Sequence, residues 1–352
     1  MALPDWPRAY GEPPIAAILR TEPSDFFVGE QLGFEPSGSG EHLWLWIEKE
    51  DINTADVAQR LARFTGLREH DIHYSGLKDK RACARQWFCI HLLKREIDWS
   101  TWSEPAIRLL RLVRHDRKLR RGTHRSNRFE IVLRNVCGDE SALIQRAELI
   151  AKQGVPNYFG EQRFGRDGRN IELALRARAQ PTRRPSRQQA SLYLSAARSF
   201  LFNEALAERI RRANWQTPLA GEVFMLDRSN SVFKHEAMAE LLSRLEAGEI
   251  HLSGPLGGAP GDVMPSAEVA QLEAECLQRH DNLTALLSDA RIDSARRSLR
   301  VIPAHWSHER IDASTWRFCF ELPKGCFATS VMRELAHYSL PDLFQKDAGV
   351  EP

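Results

Sequence analysis

Apolar and polar positions change period along this chain, and the change divides it. Leu43-Trp-Leu-Trp-Ile47 reads as a strand. The spacing of Val57, Leu61 and Phe64 predicts a helix over 53–64, capped by Asn53 or Thr54 and ended by Gly66. Gly76-Leu-Lys-Asp-Lys80 breaks the pattern and predicts a polar loop. Residues 87–93 are apolar on both faces and predict a central strand. Over 129–136, Phe129, Ile131 and Leu133 fall on one face, and Glu130, Val132 and Arg134 on the other. An amphipathic helix over 141–153 is closed by Gly154 and Pro156.

From about 157 to 300 helical periodicity dominates, over 171–179, 192–212, 236–246, 267–280 and 283–297. A β-like piece at 222–233 and a Gly/Pro-rich loop at 254–262 interrupt it. After Pro303, strand alternation returns at 316–322, followed by a turn at 323–325 and a helix over 329–338. The first dozen residues, with Pro4, Pro7 and Pro13, predict an irregular arm. The fold class is therefore α+β. A sheet-bearing domain spans 1–154 and 303–352, and a mainly helical domain, 155–302, is inserted in it. Two domains also suit a chain of 352 residues.

With 42% hydrophobic and 27% charged residues, the composition is that of a soluble globular protein. No run approaches about 18 apolar residues, so no membrane span is expected. The cysteines, at 83, 89, 137, 276, 319 and 326, form no C-x-x-C pair, and no secretory leader is evident. Reduced thiols in a cytoplasmic protein are the expectation. The formal charge of +2 says little about partners. Locally, residues 108–128 hold nine Lys or Arg against Asp116, and 163–187 hold eight Arg against Asp167 and Glu172. Arg suits bidentate phosphate contacts and stacking on bases, which favours a basic face for nucleic acid over two merely solvated basic surfaces.

Asp79 stands among Lys78, Lys80 and Arg81, three residues after Gly76. Neighbouring cations favour an ionised, nucleophilic carboxylate, and glycine permits close backbone approach. An exposed aspartate in a charged turn is the commoner occurrence. Asn157-Tyr-Phe-Gly-Glu-Gln-Arg-Phe-Gly165 suits either a platform for nucleotide contacts or a packed junction, the junction being favoured. Phe26, Phe27 and Phe327 lie near turn-forming residues; Phe is usually core, but an RNA enzyme needs rings that stack on an extruded base. Asn127 offers a donor and an acceptor to a base edge, or caps a turn. G-x-x-x-x-G-K-[ST], H-E-x-x-H and G-x-S-x-G are missing, and the cysteine spacing does not suit zinc. An enzyme with this sequence would work without cofactor or metal.

Six segments, in order, resemble the tRNA pseudouridine synthase D family: Pro23-Ser-Asp-Phe-Phe-Val28, Ser75-Gly-Leu-Lys-Asp-Lys80, Asn127-Arg-Phe129, Pro156-Asn-Tyr-Phe-Gly160 with Gln162-Arg-Phe-Gly165, Leu194-Ser-Ala-Ala-Arg198 and Phe327-Ala-Thr-Ser330. The resemblance implies conversion of a uridine of tRNA, position 13, to pseudouridine. It implies a pseudouridine-synthase fold, with a mixed, mostly antiparallel sheet flanked by helices and a family-specific insert. It also implies Asp79 as nucleophile, Asn127 and Phe129 holding or stacking the target nucleotide, and Phe26 and Phe327 at the base. Arg20 falls where the family carries a basic partner of the aspartate, a lysine in relatives; Ser24 replaces a common acid. No cofactor, no membrane and no protein partner are implied, so a monomer that acts on tRNA is expected. Two alternatives remain at this stage: a non-catalytic RNA-binding protein using the same basic cleft, and a hydrolase using Asp79 as general base.

Overall fold

The structure is a computed structural model and describes residues 3–92, 96–179, 185–235 and 238–341. The chain divides into two compact units. One comprises Pro14–Ala142, Pro303–Gly325 and Ala336–Pro352; the other comprises Met1–Pro13, Leu143–Ile302 and Cys326–Leu335. The division departs from the sequence boundaries at three places, because the N-terminal arm, residues 143–154 and the segment 326–335 group with the helical unit.

The first unit is built on a ten-stranded mixed sheet. Along its main path the strands run Ala304–Asp312, Thr315–Pro323, Ser126–Gly138, Phe26–Gln31, Cys83–His91, His42–Glu50 and Ile107–His115. Ile15–Leu19 and Ala336–Ser339 pair in parallel, as do Phe26–Gln31 and Cys83–His91; the remaining pairs are antiparallel. Cys83–His91 is interior, as its two apolar faces require; Leu93, at the end of the predicted strand, lies outside the described residues. The helix Thr54–Thr65 lays Val57, Ala58 and Leu61 on Leu45, Ile47, Phe88 and Ile90. Gly66 closes it in the left-handed conformation, φ 67°, which glycine adopts without strain. The other sheet face carries a smaller cluster around Trp44, Trp87 and Leu119.

Two edge strands carry little sequence signal. Ala304–Asp312 has no buried residue, so no inward stripe marks it. Ile107–His115 occupies the opposite edge, and the basic run 108–128 begins on it. Its arginines partly meet acids, Arg108 with Glu48 (3.3 Å) and Arg111 with Glu35 (3.4 Å). Charge along an edge also discourages pairing with other chains.

The second unit packs around the long helix Arg187–Arg211, with Arg169–Ala179, Ala267–Gln278 and Asp281–Asp289 against it. A four-stranded sheet runs Val232–Phe233, Phe224–Leu226, Ile250–Pro255 and Arg296–Ser298. Phe200, Phe202, Leu206, Phe164, Phe224 and Leu252 form its core. The N-terminal arm is irregular in backbone but anchored: Trp6 is buried, stacks on Tyr158 at 5.9 Å, and donates to Glu204 Oε1 at 2.7 Å.

Two predicted helices end early. The helix expected over 283–297 stops at Asp289. Arg291 turns the chain at φ 52°, and Arg296–Ser298 pairs antiparallel with the wholly buried strand Ile250–Pro255. A ladder partner and the Arg296–Glu273 ion pair (2.5 Å) override local helical periodicity there. The helix expected over 329–338 is Ala328–Leu335, after which Ala336–Ser339 is a strand. Of the helix expected over 236–246, Met238–Glu246 is helical and residues 236–237 lie outside the described residues. No helix among the described residues is long and apolar enough to cross a membrane. All six cysteines are free.

Candidate active site

The site is assembled around the loop 75–80, which joins His73–Tyr74 to Cys83–His91. Side chains from surrounding elements hold its backbone. Gln86 Nε2 donates to Gly76 O (3.2 Å), and Thr54 Oγ1 accepts from the Lys78 N–H (3.0 Å) while donating to Gln86 Oε1 (2.9 Å). The Gly122 N–H donates to Ser75 O (2.7 Å). Lys49 Nζ donates to Asp79 O (2.5 Å) and to Ile52 O (2.6 Å). Lys49 is completely buried, and no carboxylate among the described residues lies within ion-pair distance of it. Burial pulls its pKa down to about 8, against the nearby Asp79 charge.

A second layer supports the loop. Lys78 Nζ meets the buried Glu30 Oε1 at 2.7 Å, and Glu30 Oε2 accepts from the Trp87 N–H at 3.0 Å. Burial raises the Glu30 carboxyl above its ordinary range, while Lys78 opposes that rise. Ser75 Oγ accepts from the His124 N–H (3.0 Å) and lies 2.5 Å from His124 Nδ1. Burial, reinforced by Lys78 and Lys324, lowers His124 to about 4, so its ring is neutral at neutral pH. Gly76 fits because a Cβ there would stand 3.2 Å from His124 Cε1 and 3.4 Å from Lys78 Nζ.

With its backbone fixed, Asp79 presents a carboxylate whose side chain is 30% exposed. Oδ2 pairs with Arg20 Nη2 at 2.5 Å. Oδ1 has no hydrogen-bond partner among the described residues. Arg20 sits in the left-handed region at φ 63°, a costly conformation for a side-chain-bearing residue. Its guanidinium lies 3.9 Å over the Phe26 ring, and its Nε is buried without a partner. Phe26 meets Phe129 edge-on at 6.2 Å, and Phe129 meets Phe320 at 5.6 Å.

Asp79, Arg20, Phe26 and Phe129 thus form one continuous set within the sheet unit. Asn127 lies two residues before Phe129 on the same strand, buried, with Oδ1 unpartnered. An orphaned buried acceptor suits a ligand donor. Phe327 belongs to the helical unit, where it packs against Phe159 at 5.9 Å. Lys49, Glu30, Gln86 and His124 were not singled out from sequence, and Thr54 only as a helix cap. Lys49 and Glu30 were legible in part, each being a charged residue in step with buried apolar ones along a strand: Leu43, Leu45 and Ile47 for Lys49, Phe26 and Val28 for Glu30. Among the described residues, no group of three or more His, Cys, Asp or Glu side chains could hold a metal ion.

This arrangement offers a partly open carboxylate with one free oxygen and an arginine fixing the other, the arginine lying over the buried Phe26 ring. It can act as a nucleophile or a base. A solved structure from Methanosarcina mazei that carries the family name tRNA pseudouridine synthase D has the same fold. Its TM-score is 0.68 at 20% identity, with 95% of this chain and 96% of that chain covered. The fold class is therefore α+β, with a mixed sheet flanked by helices. The family model tRNA pseudouridine synthase D (TruD) matches residues 8–174 and 178–335. Curated relatives named tRNA pseudouridine synthase D include one from Methylococcus capsulatus, 43% identical over 336 residues and 95% of each chain. Another, from Chromohalobacter salexigens, is 44% identical over 95% of this chain and 97% of the relative. The chain belongs to the tRNA pseudouridine synthase D family.

Proposed function

We propose that this protein is an isomerase that converts a uridine of tRNA, at position 13, to pseudouridine, with Asp79 as nucleophile and no cofactor. The observation that carries the site assignment is the fixed Asp79 carboxylate, paired on one oxygen to Arg20, which lies over Phe26, and free on the other. Family membership over nearly the whole chain supports the reaction.

The reaction breaks the N1–C1′ bond, turns the uracil and joins C5 to C1′; the C5 proton is released and N1 takes up one. The target base must leave the tRNA stack, at a cost of a few kcal/mol. Asp79 serves either as a nucleophile that bonds covalently to the reacting nucleotide or as the base that takes the C2′ proton on the way to a glycal. In both roles Oδ1 is the reacting oxygen and Arg20 orients the carboxylate. In this reading Phe26 and Phe129, both buried, would back the uracil pocket, and the unpartnered Asn127 Oδ1 would accept from the uracil N3–H. The sheet-bearing parts, 1–154 and 303–352, form the catalytic domain in this reading, with 155–302 as the family's insert. The enzyme would act as a cytoplasmic monomer.

The test is tritium release from tRNA carrying 5-tritiated uridine. Wild type should release tritium, and Asp79→Asn should release none while still binding tRNA. Binding without release by the wild type would instead support a non-catalytic RNA-binding protein.

A further inference from the structure

The helical unit carries a second concentration of chemistry that the assignment of Asp79 leaves unused. Arg163, in the short turn Glu161–Phe164, and Arg297, in the strand Arg296–Ser298, both lie over the ring of Phe159. Their guanidinium carbons are 5.7 and 4.1 Å from its centroid. Arg163 also lies 5.9 Å from the Phe327 ring. Arg297 donates from Nε to Asn157 O (3.1 Å) and from Nη2 to Asn157 Oδ1 (2.5 Å). Asn157 is itself held through Nδ2 by Ser298 O and Oγ, both at 3.0 Å. Arg163 Nη1 donates to Ser195 Oγ (3.2 Å), and its Nε is buried without a partner.

Those acceptors are neutral, and Arg297 Nη2 also lies 4.0 Å from Sγ of Cys326, a thiol whose pKa burial raises. Several arginines of the same unit meet carboxylates, Arg209 with Glu222 (2.9 Å), Arg296 with Glu273, Arg212 with Glu208 (2.8 Å) and Arg178 with Asp289 (2.8 Å), whereas Arg198 and Arg300 donate to backbone carbonyls and a histidine. Burial lowers the pKa of both Arg163 and Arg297, and for Arg297 the charge of Arg163 lowers it further. Two like charges therefore share one aromatic ring, partly desolvated, with no carboxylate among the described residues within ion-pair distance of either. Two guanidiniums on one ring, with Arg163 Nε left unpartnered, set this pair apart, and an anion entering beside it would relieve both charges. Planar guanidiniums held on rings are preorganised for the forked geometry of a phosphate. Gly160 lets the turn close on this place, since a Cβ there would stand 2.9 Å from Thr329 Oγ1 and 3.0 Å from Phe327 Cδ1.

We propose that Arg163 and Arg297 form a seat for one phosphodiester of the bound RNA. The proposal rests on the reading of the protein as a tRNA-modifying enzyme and adds to it a specific anchor. Arg163 is the better probe, because Arg297 also ties down the Asn157 backbone.

Binding of an unmodified tRNA transcript is measured across a salt series for wild type, Arg163→Gln and Arg163→Lys, with thermal melting as a folding control. Arg163→Gln should keep its melting temperature and weaken binding about tenfold, as expected for a lost charge-assisted contact. Its log–log salt slope should become shallower by about 0.7–0.9, one phosphate's share. Arg163→Lys, which keeps the charge, should retain the wild-type slope. A folded Arg163→Gln with wild-type affinity and slope would overturn the seat. So would a loss of affinity with unchanged slope, or an equal change in slope for the Lys and Gln variants. The outcomes separate the two readings: a slope change without pseudouridine formation by the wild type leaves the seat standing and removes the isomerase. Pseudouridine formation with an unchanged slope does the reverse.

Discussion

Replacing Lys49 by Met separates the charge of this side chain from its bulk. The ammonium donates to the carbonyls of Ile52 and Asp79, the second being the backbone of the proposed nucleophile. Burial lowers its pKa from 10.5 to about 8, which amounts to roughly 3 kcal/mol against the charged form. Below pH 8 the folded protein bears that full cost. Between pH 8 and 10.5 the folded protein has released a proton that the unfolded chain still holds, so this group makes stability rise with pH. Lys49→Met removes the cost but strands two carbonyls, at about 1–3 kcal/mol each. The terms nearly cancel, so melting near neutral pH should change little.

Activity has no such cancellation. Freed from Lys49, the Asp79 backbone can shift, and a displacement of about 1 Å at a reacting group costs on the order of 100-fold. Tritium release by Lys49→Met should therefore show kcat down about 100-fold, with KM changed by less than about threefold. In the wild type, activity should fall as pH rises past about 8 while stability does not fall, and Lys49→Met should lack that limb. Lys78, Asp51 and Cys83 also face this ammonium, so the limb is assigned by comparing the two proteins. A folded Lys49→Met with nearly wild-type kcat, or with the same alkaline limb, refutes the reasoning.

Two further outcomes follow from the same site. Glu30→Gln keeps an acceptor for the Trp87 N–H but leaves the Lys78 ammonium without its buried carboxylate, so the urea midpoint should fall by the equivalent of roughly 3 kcal/mol; an unchanged midpoint would show that the pair contributes nothing. Asn127→Ala removes a buried oxygen that makes no hydrogen bond among the described residues, so stability should hold while kcat/KM for tRNA falls about tenfold or more. Loss of stability with unaltered kcat/KM would make Asn127 structural.

The interior of the sheet was readable from sequence because burial on defined faces writes a pattern. Phe129, Ile131 and Leu133 alternate as their buried positions require, and Val57 and Leu61 mark the inner stripe of a helix ended by Gly66. The edges wrote none: Ala304–Asp312 has no buried face, and Ile107–His115 buries only its two ends. Helical periodicity runs through Arg296 and Arg297, yet they form a strand whose ladder partner is distant in sequence. At the site, Asp79 stood out as a carboxylate in a glycine-bearing cationic loop, whereas the grip of Thr54, Gln86 and Lys49 on that loop exists only in three dimensions. The arginine run 163–187 looked uniform, yet Arg176 pairs with Glu172, Arg178 pairs with Asp289, and Arg163 lies on Phe159 without an acid. Arg183 and Arg184 of that run lie outside the described residues.

Mapping pseudouridine at single-nucleotide resolution, after incubating an unmodified tRNA transcript with wild type or with Asp79→Asn, bears most directly on the account. Modification at position 13 by the wild type and at no position by the variant is the predicted result. Pseudouridine formed by Asp79→Asn, or none formed by a folded, tRNA-binding wild type, would contradict it.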